Sequence, residues 1–591
     1  MKLARRWLRY PAVATRGLAD SCRPPKQSVE VDESSVSPSI APKPTINLKH
    51  IRENADLYEK VCLERKYPKQ AENVDLITIF NAQRLDAQKQ LAVLRKRAKD
   101  LYMAMAGNNR GVDENKKSQL LREQIRALVV REKDAQNQMI KLALEMPNLT
   151  SEDVPRGDSP VITQYINEPP ASFRTKRTYA THVQIGTRLG IIDTASAANS
   201  SGWGWYYLVG DGVRLEQALV QYALSVASRR SWTPVSPPSI VFSHIETACG
   251  FSPRDRNNET QVYKLQQSQK DQSRGVPQQC LAGTSEIPLA AMMAKSNINP
   301  ARLPLRRVAV SRCYRAEAGS RGAETKGLYR VHEFTKVELF AWTAPDSDSV
   351  RSMLNEMVEI QKEVLTNLGL HCRVLVMPAA DLGAAATYKI DIEAFFPGRR
   401  CLEASSVDVE SSSDHTEALF KEAEDSLNNV IASIKGTQAL LDVAKSSPQD
   451  AQALLKDAQS SFDDAQSSFE DAEFLIQDAE MSATGGNASP KANDGWGEVT
   501  SASICTDYQT RRLATRLWPA LKLGDDTLHF PFTANATALA VPRVLAALLE
   551  NGWDPVSRTV AIPLCLRPWM NGRETIGMSK RRRRSPAAAT S

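Results

Sequence analysis

Two runs of apolar residues that step by three and four, on either side of a glycine-flanked turn, restrict the fold of this chain more than any other feature. Leu91, Leu94, Ala98, Leu101 and Met105 make the first run. Leu121, Ile125 and Leu128 begin the second, which passes the polar Glu132 and continues through Ala135, Met139, Leu142 and Met146. Between them lies GNNRG, Gly107 to Gly111. A seam of this period buries itself against one partner helix. The pattern therefore predicts two antiparallel helices between Val74 and Met146, about 30 residues each and roughly 45 Å long at 1.5 Å rise per residue. On pattern alone the hairpin is either a dimerisation coiled coil or an arm that grips a ligand.

The chain has 591 residues, enough for several cores and about three or four domains. No apolar run approaches the roughly 18 to 20 residues of a membrane span, so no membrane partner is expected. The formal charge of +7 is concentrated at the ends. Residues 1–30 hold Lys2, Arg5, Arg6, Arg9, Arg16, Arg23 and Lys26 against Asp20 and Glu30, and Lys580 to Arg584 are all basic. The body between is near neutral, so any nucleic-acid contact by the body must come from local patches.

The leader sets Leu3, Trp7 and Leu8 against Arg5, Arg6 and Arg9 at helical spacing and has no acid before Asp20. That is the pattern of a mitochondrial transit peptide over 1–30, where a secretory signal would need a continuous apolar core. The alternative is a merely basic terminus. The nine cysteines are scattered and contain no CxxC, which predicts neither a zinc site nor a disulfide framework.

Further along, 31–46 reads as a Pro- and Ser-rich linker, 47–150 as the helical arm domain and 151–180 as a second linker. From 181 to 576 helical and strand patterns mix, with helices over Val213–Ser228 and Val350–Leu368, predicting a large α+β domain. It is interrupted at 401–494 by a segment rich in Ser, Asp, Ala and Gln. There Ala458, Phe462, Ala465, Phe469, Ala472 and Ile476 repeat on a 3,4 seam. The insert reads as an acidic helix or as an unfolded segment, and long insertions between strands are tolerable because loop closure entropy grows slowly. Residues 577–591 form a basic tail, read as solvated charge, a nuclear signal or extra phosphate contacts.

Four stretches of the α+β region carry chemistry. "CYRAEAGSRGAETKGLYRVHEFTKVELF", Cys313 to Phe340, reads as a hairpin. Same-parity residues share one strand face, so Arg315, Glu317, Arg330, His332, Phe334 and Glu338 are expected on one side. "LAGTSEIPLAAM" sets Thr284 and Glu286 two apart, and "WGEVTSASICTDYQTRR" sets Glu498 near Ser501. "FTANATALAVPRVLAALLENG" places Asn535 and Thr537 just before a helix whose first turn holds Pro542 and Arg543. Arg315 and Arg543 suit a polyphosphate, because the guanidinium fork matches phosphate oxygens. Glu498 and Ser501 suit a magnesium ion that keeps most of its waters. Phe334 beside Arg330 offers a surface on which a base can stack. Glu286 and Glu338 remain to meet an amine and a hydroxyl.

In this order the four stretches resemble the catalytic core of the seryl-tRNA synthetases, class II aminoacyl-tRNA synthetases, and the arm resembles that family's tRNA-binding domain. "SGWGWYYLVGDGVRLEQAL", "ETACGFSPRD" and "AIPLCLRPWMNGRETI" are similar to family stretches too, and the resemblance covers about 47–400 and 495–576. The hairpin resembles class motif 2 and "ATALAVPRVLAALLENG" motif 3. The helix from Val213 with "WTPVSPP" resembles motif 1, which implies a homodimer.

The resemblance implies an antiparallel class II sheet flanked by helices, ATP, L-serine and tRNA(Ser) as substrates, and Mg2+ at Glu498 and Ser501; with the transit-peptide pattern of the leader, the expected place of work is the mitochondrial matrix. It implies that Arg315 and Arg543 are catalytic, on the α- and γ-phosphates. Ala316, Glu317, Val331, Phe334, Glu498, Val499, Thr500 and Ser501 would complete the ATP site. Thr284, Ser285, Glu286, Glu338, Asn535 and Thr537 would bind serine, with Glu286 and Glu338 for its ammonium and hydroxyl. The arm would grip tRNA through Arg84, Lys89, Arg95, Lys96, Arg97, Lys99, Arg122, Arg126 and Arg131. No side-chain nucleophile is needed, and His332 reads as a hydrogen-bonded structural residue. Where the family usually has Asn-Gly, this chain has Asn535-Ala536, and a backbone with positive φ there would not suit alanine. Two rival readings are a ligase of the same fold that charges a carrier protein, against which the arm speaks, and an inactive paralogue that binds RNA or acts as a scaffold.

Overall fold

The computed structural model describes residues 41–105, 112–170, 173, 179–251, 262–317, 327–399, 428, 431, 435, 495–518 and 529–577. These belong to one compact unit that begins at Ala41. The leader, the tail from 578, the Gly107–Gly111 turn and the seam of the 401–494 insert lie outside the described residues. Among the described residues no helix is long and apolar enough to cross a membrane.

Helices α1 (Leu48–Glu53) and α2 (Ala55–Glu64) pack at the root of two long helices, α3 (Pro68–Met105) and α4 (Val112–Glu145). Pro68 opens α3, where its missing N–H is one that a first turn leaves unpaired anyway. With 38 and 34 residues the helices reach about 57 and 51 Å, longer than the seam alone suggested. Leu91, Ala135 and Met139 are buried and Leu94, Ala98, Leu101, Leu121, Ile125, Leu128 and Leu142 half-buried. Glu132, the polar break in the seam, accepts a 2.6 Å hydrogen bond from Gln88 Nε2 across the helix pair.

The rest is built on an eight-stranded sheet of β1 (Val161–Ile166), β2 (Thr233–Val235), β3 (Leu305–Tyr314), β4 (Glu333–Thr343), β5 (Cys372–Val376), β6 (Tyr388–Phe395), β7 (Trp496–Thr506) and β8 (Phe532–Ala540). Its order is β1-β5-β6-β7-β8-β4-β3-β2, and every pair is antiparallel except the edge pair β2–β3. Strand β1 corrects the reading of 151–180 as a plain linker: it pairs with β5 at the opposite edge. Five of its six residues are exposed, so the alternation that marks a half-buried strand is absent from its sequence.

Helices α5 (Asp211–Arg229), α7 (Ser347–Asn367) and α9 (Val541–Gly552) cover one sheet face, where Val337, Leu339 and Ala341 of β4 join the main core. Phe340 and Trp342 point the other way, into a second core with Ile245, Cys280, Ile287 and Leu513. Nearer its start, that same face of β4 carries Phe334, Lys336 and Glu338 and lines a cleft. Strand alternation therefore gives one face that carries Phe340 and Trp342 where it is covered, and a ring beside a lysine–glutamate pair where it lines the cleft.

Candidate active site

The cleft has a volume of about 400 Å³ and is walled by β4, β7, β8, the start of α6 (Glu286–Ala291) and the first turn of α9. A row of register partners crosses its floor, Ser501 on β7, Thr537 on β8 and Glu338 on β4, and continues beyond the cleft to Asp391 on β6. Glu498 and Ser501 stand three apart and in a regular strand would face opposite sides. Here Glu498 pairs with Glu393 and Thr500 with Ile392, so Val499 is the extra residue of a β-bulge. The bulge turns Glu498 onto the face of Ser501 and Ser503. Below, the buried Gln361 of α7 donates to the carbonyls of Ser501 and Thr537, both at 2.8 Å.

At one end of the cleft Arg315 lies between two rings, with its guanidinium carbon 5.2 Å from the Phe334 centroid and 5.8 Å from that of Phe251. Arg330, which lines the same cleft as Phe334, donates to Glu317 at 3.0 Å. Glu317 sits at φ +47°, a left-handed conformation uncommon for glutamate. Arg543 enters from α9, with Nε 3.0 Å from the Tyr329 carbonyl oxygen and Nη1 3.0 Å from that of Glu498. Burial would raise the Glu498 carboxyl, but Lys389, Arg543 and Arg315 together outweigh it and hold the group below its ordinary value. Lys389 in turn donates to Asp391 at 2.7 Å.

The other end gathers Thr284, Glu286, Lys336, Glu338, Asn535 and Thr537. Lys336 is buried and its Nζ lies 2.5 Å from Glu338 Oε2 and 2.7 Å from Thr284 Oγ1. Burial, with repulsion from Glu338, pushes the Glu286 carboxyl up to about 7, against the pull of Lys336 and a hydrogen bond from Gln509. Gln509 Nε2 reaches Glu286 Oε1 at 2.5 Å. Cys249 and Cys505 also line the cleft, and burial raises both thiols well above their ordinary range, so neither offers a thiolate nucleophile.

Of the residues singled out in the sequence, Arg315, Glu317, Val331, Phe334, Glu338, Thr284, Glu286, Glu498, Val499, Ser501, Asn535, Thr537 and Arg543 line this one cleft. Ala316, Ser285 and Thr500 are not among its lining residues, and the last two are fully buried. His332 leaves the face on which strand alternation placed it, because Arg330 to His332 precede the first residue of β4. Its Nδ1 lies 3.1 Å from the Arg315 carbonyl oxygen and 3.2 Å from the Tyr263 hydroxyl, and its ring stacks near Trp205. Ala536 is buried within β8 and is not among the positive-φ residues, so alanine is compatible with the strand there. The sequence reading gave no role to Lys336, Gln509 or Lys389. Lys336 shares its parity with Phe334 and Glu338, which was signal enough; Gln509 comes from the short helix α8 (Tyr508–Leu513), and nothing in the local sequence aims it at Glu286.

Residues 263–552 match the family model described as the tRNA synthetase class II core domain (G, H, P, S and T). The mitochondrial serine–tRNA ligase of Saccharomyces cerevisiae is 35% identical over 461 residues, covering 77% of this chain and 78% of that protein. The chain belongs to the serine–tRNA ligases. The mitochondrial serine–tRNA ligase of Schizosaccharomyces pombe is 31% identical over 535 residues, covering 89% and 88% of the two chains. The crystal structure of seryl-tRNA synthetase from Pyrococcus horikoshii complexed with ATP is similar in fold, with a TM-score of 0.67 at 24% identity over 90% of this chain and 100% of that one. Membership in this family sets aside the carrier-protein ligase, and relatives named as ligases give the inactive-paralogue reading no support.

Proposed function

We propose that the chain activates L-serine with ATP and transfers it to the 3′ end of tRNA(Ser) in the mitochondrial matrix, as a homodimer. The observation that carries this is the single cleft whose one end holds Arg315, Arg543 and an ionised Glu498 while the other holds Glu286, Lys336, Glu338 and two threonine hydroxyls. The first set suits a nucleotide triphosphate and the second a small zwitterion with a hydroxyl. The names of the relatives and the fold shared with an ATP complex support the same assignment.

In this reading the serine carboxylate attacks the α-phosphate of ATP in line. The P–O bond to pyrophosphate breaks as that to the carboxylate forms, giving seryl-adenylate. Arg315, pinned between Phe334 and Phe251, neutralises charge at the α-phosphate, and Arg543 holds the far end of the chain of phosphates. Catalysis is then positioning plus electrostatics. The ribose hydroxyl of the tRNA end next attacks the adenylate carbonyl and releases AMP. Glu498 and Ser501 would hold Mg2+, and they fit it: one half-exposed carboxylate kept ionised and one hydroxyl on the same face leave room for waters and phosphates. The ion would supply further charge neutralisation on the phosphates.

The exposed basic residues Lys89, Arg95, Lys96, Arg97, Lys99, Arg122, Arg126 and Arg131 of the arm support a tRNA-gripping role, and Arg84 is half-buried against Asn81. For the homodimer, α5 and the edge strand β2 put the stretch resembling motif 1 at an open edge of the sheet. The Arg-rich leader and the mitochondrial relatives support the location. The deciding test is amino-acid-dependent exchange of labelled pyrophosphate into ATP, followed by charging of tRNA(Ser). Exchange with serine and not with alanine, glycine or threonine is the expected result; folded protein without exchange would return the reading to an inactive RNA-binding paralogue.

A further inference from the structure

Lys336 has no role in the adenylation chemistry above, yet its surroundings are fully specified. It is 5% exposed, and its three N–H donors meet three acceptors: Glu338 Oε2 at 2.5 Å, Thr284 Oγ1 at 2.7 Å and Thr537 Oγ1 at 3.3 Å. A hydroxyl has one hydrogen and two lone pairs. A cation that donates to a hydroxyl therefore decides where that hydroxyl's own proton can go.

At Thr537 the proton goes to Glu338 Oε2, 3.2 Å away. At Thr284 both lone pairs are taken, one by Lys336 and one by the backbone N–H of Glu286 at 3.2 Å. Its proton is then directed into the cleft that Thr284 lines. Glu338 has Oε2 engaged twice and keeps Oε1 as an acceptor.

We propose that Lys336 is a specificity-determining residue, which fixes Thr284 as a donor and Glu338 as an acceptor so that a substrate hydroxyl satisfies both with one atom. The proposal rests on the serine reading above and names the part of serine that these residues meet. An ammonium would satisfy Glu338 alone and a carboxylate Thr284 alone. Glu286, held by Gln509, is left for the substrate ammonium. Lys336 also offsets one of the two carboxylates, leaving this end of the cleft with one net negative charge, matched to one ammonium. Alanine would leave a donor and an acceptor unpaired in a buried site, which is how a pocket built to bond a hydroxyl refuses the analogue without it.

The test compares the nonhydrolysable sulfamoyl analogues of seryl- and alanyl-adenylate, titrated calorimetrically into full-length protein. Wild type is expected to prefer the seryl analogue by on the order of 100-fold or more. Lys336→Met, which removes the donors at similar length, should reduce that preference by about tenfold or more through weaker seryl binding, with alanyl binding changed less than about threefold. Equal weakening of both analogues in a variant of unchanged melting temperature, or a preference left intact, would overturn the proposal while leaving the serine reading in place. Wild type that binds both analogues alike would overturn the serine reading and the proposal together. Should Lys336→Met not fold, Lys336→Arg, which keeps the charge but not the point-like geometry, decides by the same ratio.

Discussion

Arg543 and Glu498 hold each other at the mouth of the cleft: the guanidinium Nη1 lies 3.0 Å from the Glu498 carbonyl oxygen and 3.4 Å from its carboxylate. The same side chain reaches the Tyr329 carbonyl oxygen through Nε. One planar fork thus joins α9, the bulged start of β7 and the return from the motif 2 loop. Lysine is a point charge on a flexible stem and cannot bridge three elements. Arg543→Lys should lower kcat/KM for ATP in pyrophosphate exchange by about 100-fold, with serine KM changed far less. An equal loss for both substrates would mean that the fork shapes the whole cleft.

The Glu286 carboxyl, raised by burial and by Glu338 to about 7, gives serine binding a pH dependence. An ammonium is bound by the ionised form, whose fraction falls as pH drops below 7. Serine KM should therefore rise by roughly fivefold between pH 7 and pH 6, with ATP KM nearly flat. The folding effect has the opposite sense: a raised folded value stabilises most at pH below the unfolded 4.5 and is lost as pH rises through about 7. Glu286→Gln should bind serine poorly at every pH and flatten the profile; a profile unchanged in that variant would assign the ionisation elsewhere.

Much of the cleft was readable because strand parity is a rigid rule. Thr284 with Glu286, and Phe334 with Glu338, needed only the alternation or short spacing of their own segments, and the arm seam needed only its period. The bulge at Val499 was not readable. One extra residue reverses parity, and nothing in Gly497 to Ser501 marks it, because it is set by pairing with Ile392 and Glu393 on a strand about a hundred residues earlier. Gln509 was hidden for a similar reason, since its position depends on where α8 docks against α6. The first strand, β1, was hidden because an exposed edge strand needs no apolar alternation.

Glu550 is a second point where distant segments meet. Its side chain is fully buried and accepts from the His182 backbone N–H at 3.0 Å, His182 Nδ1 at 2.8 Å, the Tyr329 hydroxyl at 2.8 Å and the Gly398 N–H at 3.0 Å. His182 Nε2 accepts from the Leu328 N–H, so the ring proton sits on Nδ1 and is donated to Glu550. Glu550→Ala would strand several buried donors and should destabilise the fold by about 3 to 5 kcal/mol. The urea midpoint should fall with an unchanged slope. Glu550→Gln should cost less, since the amide keeps one accepting oxygen.

The arm and the cleft are separable by assay. Arg95, Lys96, Lys99 and Arg122 are exposed on the arm and absent from the cleft. Replacing all four by alanine should leave serine-dependent exchange within about twofold, because surface changes away from the site are nearly neutral. The same variant should raise the KM for tRNA(Ser) and flatten its salt dependence, by roughly 0.7 to 0.9 in log–log slope for each phosphate that the arm no longer neutralises. An unchanged tRNA KM would return the arm to the reading of a dimerisation coiled coil.

The 401–494 insert can be removed on geometric grounds. It joins two strands that are already neighbours: Phe395 pairs with Trp496, and the Phe396 N–H donates to the Gly495 carbonyl at 2.8 Å. The ends thus meet without it. Replacing 401–494 with a four-residue Gly/Asn turn shortens the connection roughly twelvefold, and loop-closure entropy alone then favours folding by about 2 kcal/mol. The shortened protein should unfold at higher urea and keep serine-dependent exchange and tRNA charging within about threefold. Glu498 begins three residues after Gly495, so the experiment also reads the nucleotide end of the cleft. A stable shortened protein whose ATP KM rises would show that the insert acts on the start of β7. One that keeps exchange but loses charging would show that it acts on the tRNA instead.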